Sequence, residues 1–394
     1  MRESYVARQP IYDRKLRVVG YELLFRGGAF SGDANGNGDE ATSRTLLTAL
    51  TEIGLDALVG LTPAFVNVTR SFLLDGHVRV CPANRFVLEV LEDVSVDDEL
   101  IETLYALKSD GYQIALDDFT YRPEVRPLVE LADLVKLDVL ALGHELGEPV
   151  ELLRPLRVQL VAEKVETQDD LDRCRSLGFD FLQGYFFCKP RTLEGRAIAP
   201  SRLSRLQLLA SLNDPDVELE ELSAIVERDI GLSYRLLRYV NSAHVGLPNQ
   251  VDSIRRALVL IGLNKLRSWA NLFALGQIDD APSELLTTAM ARARMCELLA
   301  AQLRLPPQTA FTVGLFSVLD ALMNQDMADV LEQLPLSDEL NDALLYRRGE
   351  FGDLLARVLA YEAGTLDGEG LEMCDQYIEA IAWTDQARSL VRAA

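Results

Sequence analysis

The chain has 394 residues, of which 48% are hydrophobic, and it carries a formal net charge of −22. This length leaves room for two domains with cores of their own, and the hydrophobic fraction excludes a chain that is disordered throughout. The acidic balance disfavours non-specific binding to nucleic acid or to an anionic membrane, although a local basic pocket could still hold a small anion.

The cysteines and the amino terminus predict a soluble cytoplasmic protein. The five cysteines are scattered without a C-x-x-C pair, as expected for buried thiols in a reducing cytosol. The opening residues MRESYVARQP contain no apolar segment, and no run approaches membrane-spanning length.

Seven strand-like runs follow one another through the first half, and each brings a polar or charged side chain to the region where it ends. The runs span residues 17–24, 64–68, 85–90, 113–118, 133–138, 159–166 and 181–187. The polar residues are Glu22, Asn67, Glu89, Asp117, Asp118, Lys136, Asp138, Glu163, Glu166 and Gln183. Helical patterns at 39–54, 96–111 and 167–178 alternate with the runs. This alternation predicts an α/β fold, a (β/α)8 TIM-like barrel with short crossovers that collects these groups at its carboxyl-terminal rim.

Two adjacent carboxylates, Asp117 and Asp118, close the fourth run. Taken alone, the pair is explained by an ordinary solvated turn. Recurrence of polar groups at the other strand ends favours a hard metal ion held by oxygen ligands. The loop at 27–39 matches the start of an EF-hand, but Arg44 stands where the bidentate Glu is needed, so we expect a flexible loop beside the rim.

The residues at the strand ends predict phosphodiester chemistry. Glu22, Asn67, Glu89 and Asp117 would supply oxygen ligands for one or two divalent cations, Mg²⁺ or Mn²⁺. Lys136 could stabilise a developing negative charge or hold a nucleophilic water, and Glu163 is the candidate general base. The three histidines lie in separate segments and form no ligand spacing.

The pattern changes after residue 190. Residues 191–200 are interpreted as a linker, and the chain beyond them has helical periodicity with no strand alternation. We therefore predict a barrel domain at 1–197 and an all-α domain at 198–394.

The first half resembles the EAL domain, a phosphodiesterase fold that acts on the bacterial messenger cyclic di-GMP. The motifs occur in family order. They are Arg8-Gln9-Pro10-Ile11 for the opening strand, Tyr21-Glu22-Leu23-Leu24-Phe25-Arg26 for the naming motif, Phe65-Val66-Asn67-Val68, Leu88-Glu89-Val90, Leu116-Asp117-Asp118-Phe119, Val135-Lys136-Leu137-Asp138, Ala162-Glu163-Lys164-Val165-Glu166-Thr167 and Gln183-Gly184-Tyr185.

This resemblance implies a role for each residue. Glu22, Asn67, Glu89 and Asp117 would bind metal, and Asp118 would serve a second metal. Glu163 would be the general base, with Lys136 and Gln183 as its polar support. Glu166 would anchor a loop, and Arg26 would contact a phosphate of cyclic di-GMP.

Three departures from the family pattern bear on turnover. Leu23 replaces an alanine of the naming motif, and Lys164 replaces a glycine beside the base. Phe119-Thr120-Tyr121-Arg122-Pro123 replaces the family's Gly-rich loop, which links the second metal to dimerisation. Because lost glycines reduce backbone freedom, nucleotide binding should survive these changes better than turnover.

The second half resembles the HDOD domain, a helical output module of bacterial signalling proteins, through residues 228–246 and 252–266. Ser317 and Val318 stand where the related HD hydrolases carry their His-Asp dyad, so we expect no metal site and no catalysis there. Residues 232–240 could also be read as a DNA-recognition helix, but the acidic charge and core-like periodicity favour an ordinary packing helix.

Three hypotheses follow. The first is a cyclic di-GMP signalling protein that has weak or lost phosphodiesterase activity and acts through a non-catalytic HDOD domain on an unknown protein partner. The second is an active metal-dependent phosphodiesterase that produces linear pGpG. The third is a nucleotide-independent scaffold. A homodimer is left open, and neither nucleic acid nor membrane is expected as a partner.

Overall fold

The computed structural model describes residues 4–27, 54–91, 94–120, 122, 125–184, 200–214, 218–241, 251–276, 278, 283–366 and 370–392. The chain forms two compact units, one made of residues 1–186 with 361–374, the other of 187–360 with 375–394. The domain boundary at 197/198 stays a prediction, because residues 185–199 lie outside the described part.

Eight strands close into a barrel in sequence order, which confirms the predicted fold class. They are β1 Ser4–Asp13, β2 Val18–Gly27, β3 Ala64–Val68, β4 Phe86–Val90, β5 Gln113–Leu116, β6 Leu134–Asp138, β7 Gln159–Glu163 and β8 Phe181–Gln183. Each of the seven runs predicted from the sequence contains one of the strands β2 to β8 or overlaps it.

Strand β1 departs from the parallel arrangement, since it pairs antiparallel with both β2 and β8. It was not among the runs predicted from hydrophobic pattern, because Pro10 interrupts it and Arg8 and Gln9 break its apolar character. Proline lacks an N–H group and is uncommon inside a sheet. The reversed direction sets Gln9 opposite Glu22 of β2.

Short helices connect the strands, as expected for so compact a barrel. They are α1 Leu55–Val59, α2 Arg70–Leu74, α3 Asp98–Ser109, α4 Arg126–Leu131, α5 Val139–Leu142, α6 Gly147–Leu153 and α7 Gln168–Leu177. Helices α3 and α7 confirm two of the predicted helical patterns. Thr167 caps α7 in a capping box with Asp170. The helix predicted at 39–54 and the loop at 28–39 lie outside the described residues.

An apolar layer fills the barrel beneath a polar one. The apolar layer consists of Ile11, Phe65, Val87, Ala115, Leu134 and Val161, with Val19 and Phe181 packed against it. Because strand side chains alternate between faces, the residue two positions further along each strand points to the same side. On β3 to β8 or directly after them, these residues are Asn67, Glu89, Asp117, Lys136, Glu163 and Gln183. The period of the strands therefore carries the polar groups to the mouth of the barrel.

The second half is helical wherever the structure describes it. Its helices are α8 Pro200–Asn213, α9 Leu219–Arg228, α10 Ile230–Val240, α11 Ile254–Ile261, α12 Leu263–Leu275, α13 Ser283–Leu303, α14 Pro307–Phe316, α15 Leu319–Met323, α16 Met327–Leu331, α17 Asp338–Tyr346, α18 Gly349–Glu362 and α19 Gly370–Arg392. In its core Trp269 stacks on Tyr239 with ring centroids 3.6 Å apart. Among the described residues, no helix is long and apolar enough to cross a membrane.

We expect Gly184→Ala to destabilise the barrel by about 3 kcal/mol, because it combines a strained backbone with a backbone clash. Gly184 follows β8 with φ +148°, and an added Cβ would clash with the backbone carbonyl of Val165. The control is Gly178→Ala, at φ +86° with its nearest neighbour a flexible Arg14 side chain at 3.8 Å, which should cost about 1 kcal/mol. Urea unfolding measures both. Equal losses would contradict the packing of this loop.

Candidate functional site

A single buried ammonium group lies among four carboxylates at the barrel mouth. Lys136 Nζ is 2.7 Å from Glu89 Oε1, 2.7 Å from Asp117 Oδ1, 2.8 Å from Glu163 Oε1 and 3.2 Å from Glu22 Oε2. The side chains of Lys136 and Glu89 have no exposed surface. We call Lys136 and these four acids the inner group.

The barrel strands assemble the inner group from distant parts of the sequence. Glu22 comes from β2, Glu89 from β4, Lys136 from β6 and Glu163 from β7, while Asp117 follows β5 directly. The backbone N–H of Asp117 donates to Val90 O at 3.0 Å, which continues the β4–β5 pairing and fixes the turn. Five segments thus direct one side chain each toward a common point.

Three amide side chains extend the inner group around Glu22. Gln183 Nε2 donates to Glu22 Oε2 at 2.5 Å and to Gln9 Oε1 at 3.0 Å. Asn67 Nδ2 lies 3.4 Å from Glu22 Oε1. Sequence reasoning selected Gln183 and Asn67 but gave Gln9 no role. The one sequence feature that pointed to Gln9 was the resemblance of Arg8-Gln9-Pro10-Ile11 to the opening strand of the EAL domain.

A second set of charges, the outer group, lies beside the first. Lys164 Nζ is 2.5 Å from Asp138 Oδ2 and 3.6 Å from Asp118 Oδ1. Asp118 is therefore separated from the inner group's ammonium and contacts a different lysine. Sequence reasoning noted Lys164 as a departure from the family pattern, but this ion pair was not predicted.

Glu166 and Arg26 are the remaining residues that the sequence proposed for the site. Glu166 lies in the loop after β7, where its backbone N–H lies 3.4 Å from Asp170 Oδ2. Arg26 lies in β2 opposite Tyr5, and its side chain lies outside the described part of the chain. Their roles, like those of the other site residues, stay predictions.

Crowding of acids at a buried position shifts their proton affinities. Burial, together with the charges of Glu22 and Asp117, raises the pKa of Glu89 well above its ordinary value despite the opposing effect of Lys136. Burial likewise raises the pKa of Glu163 to about 7, although Lys136 acts in the opposite direction. Burial alone would lower the pKa of Lys136, but Glu89, Glu22, Glu163 and Asp117 outweigh it and raise that pKa. The surrounding acids therefore favour the charged form of Lys136.

The oxygen atoms of the inner group and its amide neighbours are of the type that binds a hard divalent cation. Three buried oxygen atoms, Asn67 Oδ1, Glu89 Oε2 and Gln183 Oε1, have no hydrogen-bond partner among the described residues. Four carboxylates also exceed the charge of one ammonium. In the described part of the chain, however, no set of His, Cys, Asp or Glu side chains is arranged to hold a metal ion. A cation at this rim therefore requires the acids or Lys136 to shift.

Comparison with known proteins finds two domain families in this chain. The EAL domain model matches residues 61–190, and the HDOD domain model matches residues 200–345. The EAL match leaves out the segment that carries Glu22 and Arg26.

Two relatives align with almost the whole chain. Cyclic di-GMP phosphodiesterase CdgJ of Vibrio cholerae is 33% identical over 414 residues, covering 99% of this chain and 94% of CdgJ. Protein YuxH of Bacillus subtilis is 31% identical over 398 residues, covering 96% of this chain and 97% of YuxH. A crystal structure of the B. subtilis YkuI protein, with an EAL domain, in complex with cyclic di-GMP and calcium, covers 66% of this chain and 72% of its own, at 22% identity and a TM-score of 0.39. The barrel assignment rests on strand pairing and not on that superposition.

Removal of the central ammonium should destabilise the protein strongly. We expect Lys136→Met to lower the free energy of unfolding by about 3–5 kcal/mol at pH 8, because it leaves buried carboxylates uncompensated. Part of the loss should disappear at pH 5, where protonation relieves their repulsion. Lys108→Met is the control, since the partly exposed Lys108 pairs with Asp133 at 2.9 Å and donates to Leu131 O at 2.6 Å, and its loss should cost only about 1 kcal/mol. Equal effects of the two substitutions in urea unfolding would contradict this account.

The raised pKa of Glu163 predicts a pH-dependent stability. A carboxyl group whose pKa is raised on folding contributes stability that is fully present below its unfolded pKa and is lost as pH rises through the folded value. For Glu163 this window runs from about 4.5 to about 7. Relative to Glu163→Gln, the wild-type protein should therefore lose up to about 3 kcal/mol between pH 4.5 and 8, measured by urea unfolding. Parallel pH profiles for the two proteins would refute the assigned shift.

Proposed function

Since the chain belongs to the family of proteins that join an EAL domain to an HDOD domain, we propose that its barrel binds cyclic di-GMP with a divalent cation and hydrolyses it slowly or not at all. The helical half would then report the bound state to a protein partner. The observation that carries this proposal is the convergence of four carboxylates on Lys136 at the barrel mouth.

A cation at the inner group is supported by its donors. Glu22, Asn67, Glu89 and Asp117 would hold it, as Mg²⁺ or Mn²⁺ in the cell, and the orphaned oxygens of Asn67 and Glu89 would gain a partner. Such a cation would neutralise the acids and attract the phosphate of the nucleotide, which a protein of net charge −22 otherwise repels. Arg26 would add a second positive contact to a phosphate.

Glu163 is proposed as the general base. A pKa of about 7 suits a group that must accept a proton from water near neutral pH. Lys136, 2.8 Å from Glu163 Oε1, holds the carboxylate in position. Gln183 donates to Glu22, which contacts Lys136, so it would support Glu163 only indirectly. Glu166 would anchor the loop that follows.

Weak turnover is supported by the environment of Asp118. The resemblance assigns Asp118 to a second cation, yet its carboxylate lies 3.6 Å from Lys164 Nζ. The loop that follows begins with a buried Phe119, whose N–H donates to Lys136 O at 3.2 Å, in place of the family's glycine. Both features reduce the freedom with which the acids at this rim can be rearranged.

An efficient phosphodiesterase is the second candidate. Every side chain that the EAL resemblance requires for hydrolysis is present in the sequence, and the relative CdgJ is named as a cyclic di-GMP phosphodiesterase. The two candidate functions use the same nucleotide and the same site, and they differ only in the rate of hydrolysis.

The helical half is proposed as a non-catalytic interaction module. At the place of the HD dyad, Ser317 Oγ lies 3.3 Å from Nη1 of the buried Arg292, so a guanidinium group occupies this region. The partner would be a cytoplasmic protein, and a homodimer of this chain remains compatible with the proposal.

Calorimetry and chromatography test the proposal together. With Ca²⁺ present to suppress turnover, cyclic di-GMP should bind, and Glu22→Gln should weaken binding at least about tenfold because it removes one charged ligand. Glu130→Gln, at an exposed pair with Arg126, is the matched control and should bind normally. With Mn²⁺, little linear dinucleotide should form, and Glu163→Gln should reduce it by a further factor of about 10² or more while binding is retained.

The outcomes separate the candidates. Rapid formation of the linear dinucleotide by the wild-type protein would favour the efficient enzyme. Absence of binding heat at high micromolar nucleotide would contradict both candidates and leave the nucleotide-independent scaffold.

A further inference from the structure

Two lysine-centred groups lie side by side at the barrel mouth, and they are built from neighbouring residues. Asp117 belongs to the inner group and Asp118 to the outer group, and Glu163 and Lys164 divide in the same way. The outer group contains one ammonium, Lys164, and two carboxylates, Asp118 and Asp138.

The outer ammonium is held in a fixed position. Asp138 caps α5, and its Oδ1 accepts from the N–H groups of Leu140 at 2.8 Å and Ala141 at 2.9 Å. Its other oxygen, Oδ2, is thereby directed at Lys164 Nζ, 2.5 Å away. An N-cap carboxylate is anchored by the helix backbone, so this ion pair has a rigid acceptor.

Lys164 and Asp118 also share an uncommon backbone conformation. Both residues adopt left-handed conformations, with φ 54° at Lys164 and φ 42° at Asp118. Such a conformation is unfavourable for a lysine by an amount on the order of 1 kcal/mol, and it persists only where the surroundings impose it. The strain at Lys164 is offset by contacts with two acids.

The charge balance of the two groups differs. Counted as ionised, the inner group has four carboxylates against one ammonium, whereas the outer group has two against one. A divalent cation is therefore attracted more strongly to the inner group. At the outer group it would compete with an ammonium that already neutralises half of the charge.

We propose that the Lys164 ammonium takes the place of a second cation at the outer group, so that the protein binds one divalent cation, at the inner group. This inference rests on the proposed metal-dependent nucleotide site. Lys164 is thus a charge-compensating residue of that site, and its side chain is half-exposed, so solvent can reach the ammonium. An ammonium donates hydrogen bonds to phosphate but has half the charge of a divalent cation, which is consistent with slow hydrolysis.

Counting bound Mn²⁺ without nucleotide tests the inference. Electron paramagnetic resonance and calorimetry should give one tight site in the wild-type protein. Lys164→Gly and Lys164→Asn should give two, with spin coupling between neighbouring ions. Glycine and asparagine both tolerate the left-handed conformation, so these variants should fold, as circular dichroism would check. Lys164→Arg keeps the charge and should retain one site.

Two further variants assign the sites. Asp118→Asn in the Lys164→Gly background should return the count to one, because it removes one of the two outer carboxylates. Asp117→Asn in the wild-type background should weaken the single site at least about tenfold, because it removes a charged ligand of the inner group.

Each remaining outcome is decisive. Two tight sites in the wild-type protein, or one in all three Lys164 variants, would overturn the role of Lys164 while the proposed nucleotide site stands. No tight Mn²⁺ in any variant would contradict the metal-dependent function itself, and this inference with it.

Discussion

Burial of Lys136 among four carboxylates is the constraint on which the barrel mouth depends. A lysine without exposed surface is tolerable only because acids from β2, β4, β7 and the end of β5 approach its ammonium within 3.2 Å. Those acids in turn need the lysine, since burial and mutual repulsion oppose their ionisation. Neither the buried ammonium nor the buried carboxylates would be stable without the other. The closed barrel, which brings them together, and the inner group therefore depend on one another.

The apolar layer beneath makes this arrangement possible. Phe65, Val87, Ala115, Leu134 and Val161 exclude water from below and fix the strand positions from which the polar side chains project. An added Cβ at Gly20 would lie 2.7 Å from the ring of Phe65, so the missing side chain on β2 leaves room for that ring. The positions of the polar side chains at the barrel mouth are thus fixed by the packing of the apolar layer beneath them, as expected for sites built on rigid elements.

Stability and function are in tension at this rim. The raised pKa values of Glu89 and Glu163 and the left-handed backbone at Asp118 and Lys164 each cost stability. Such features gather where a ligand is to be bound, because a cation or phosphate can use charges that the protein alone satisfies poorly. The two lysines divide these charges into an inner group, which retains excess negative charge, and an outer group that is more nearly neutral.

The sequence by itself determined the barrel class, seven of its strands, and the polar residue that each strand contributes, because period-two alternation and shared carboxyl ends are local consequences of the parallel α/β pattern. It also determined the helix at 167–178, which the structure shows as α7. Only the tertiary structure decided the reversed direction of β1, because Pro10 interrupts the hydrophobic pattern of that strand. It also decided the role of Gln9, which follows from its register with Glu22. The convergence of four acids on Lys136 and the pairing of Lys164 with Asp138 and Asp118 were likewise decided there. These contacts depend on side-chain reach and on backbone angles imposed by distant neighbours, which local pattern does not encode.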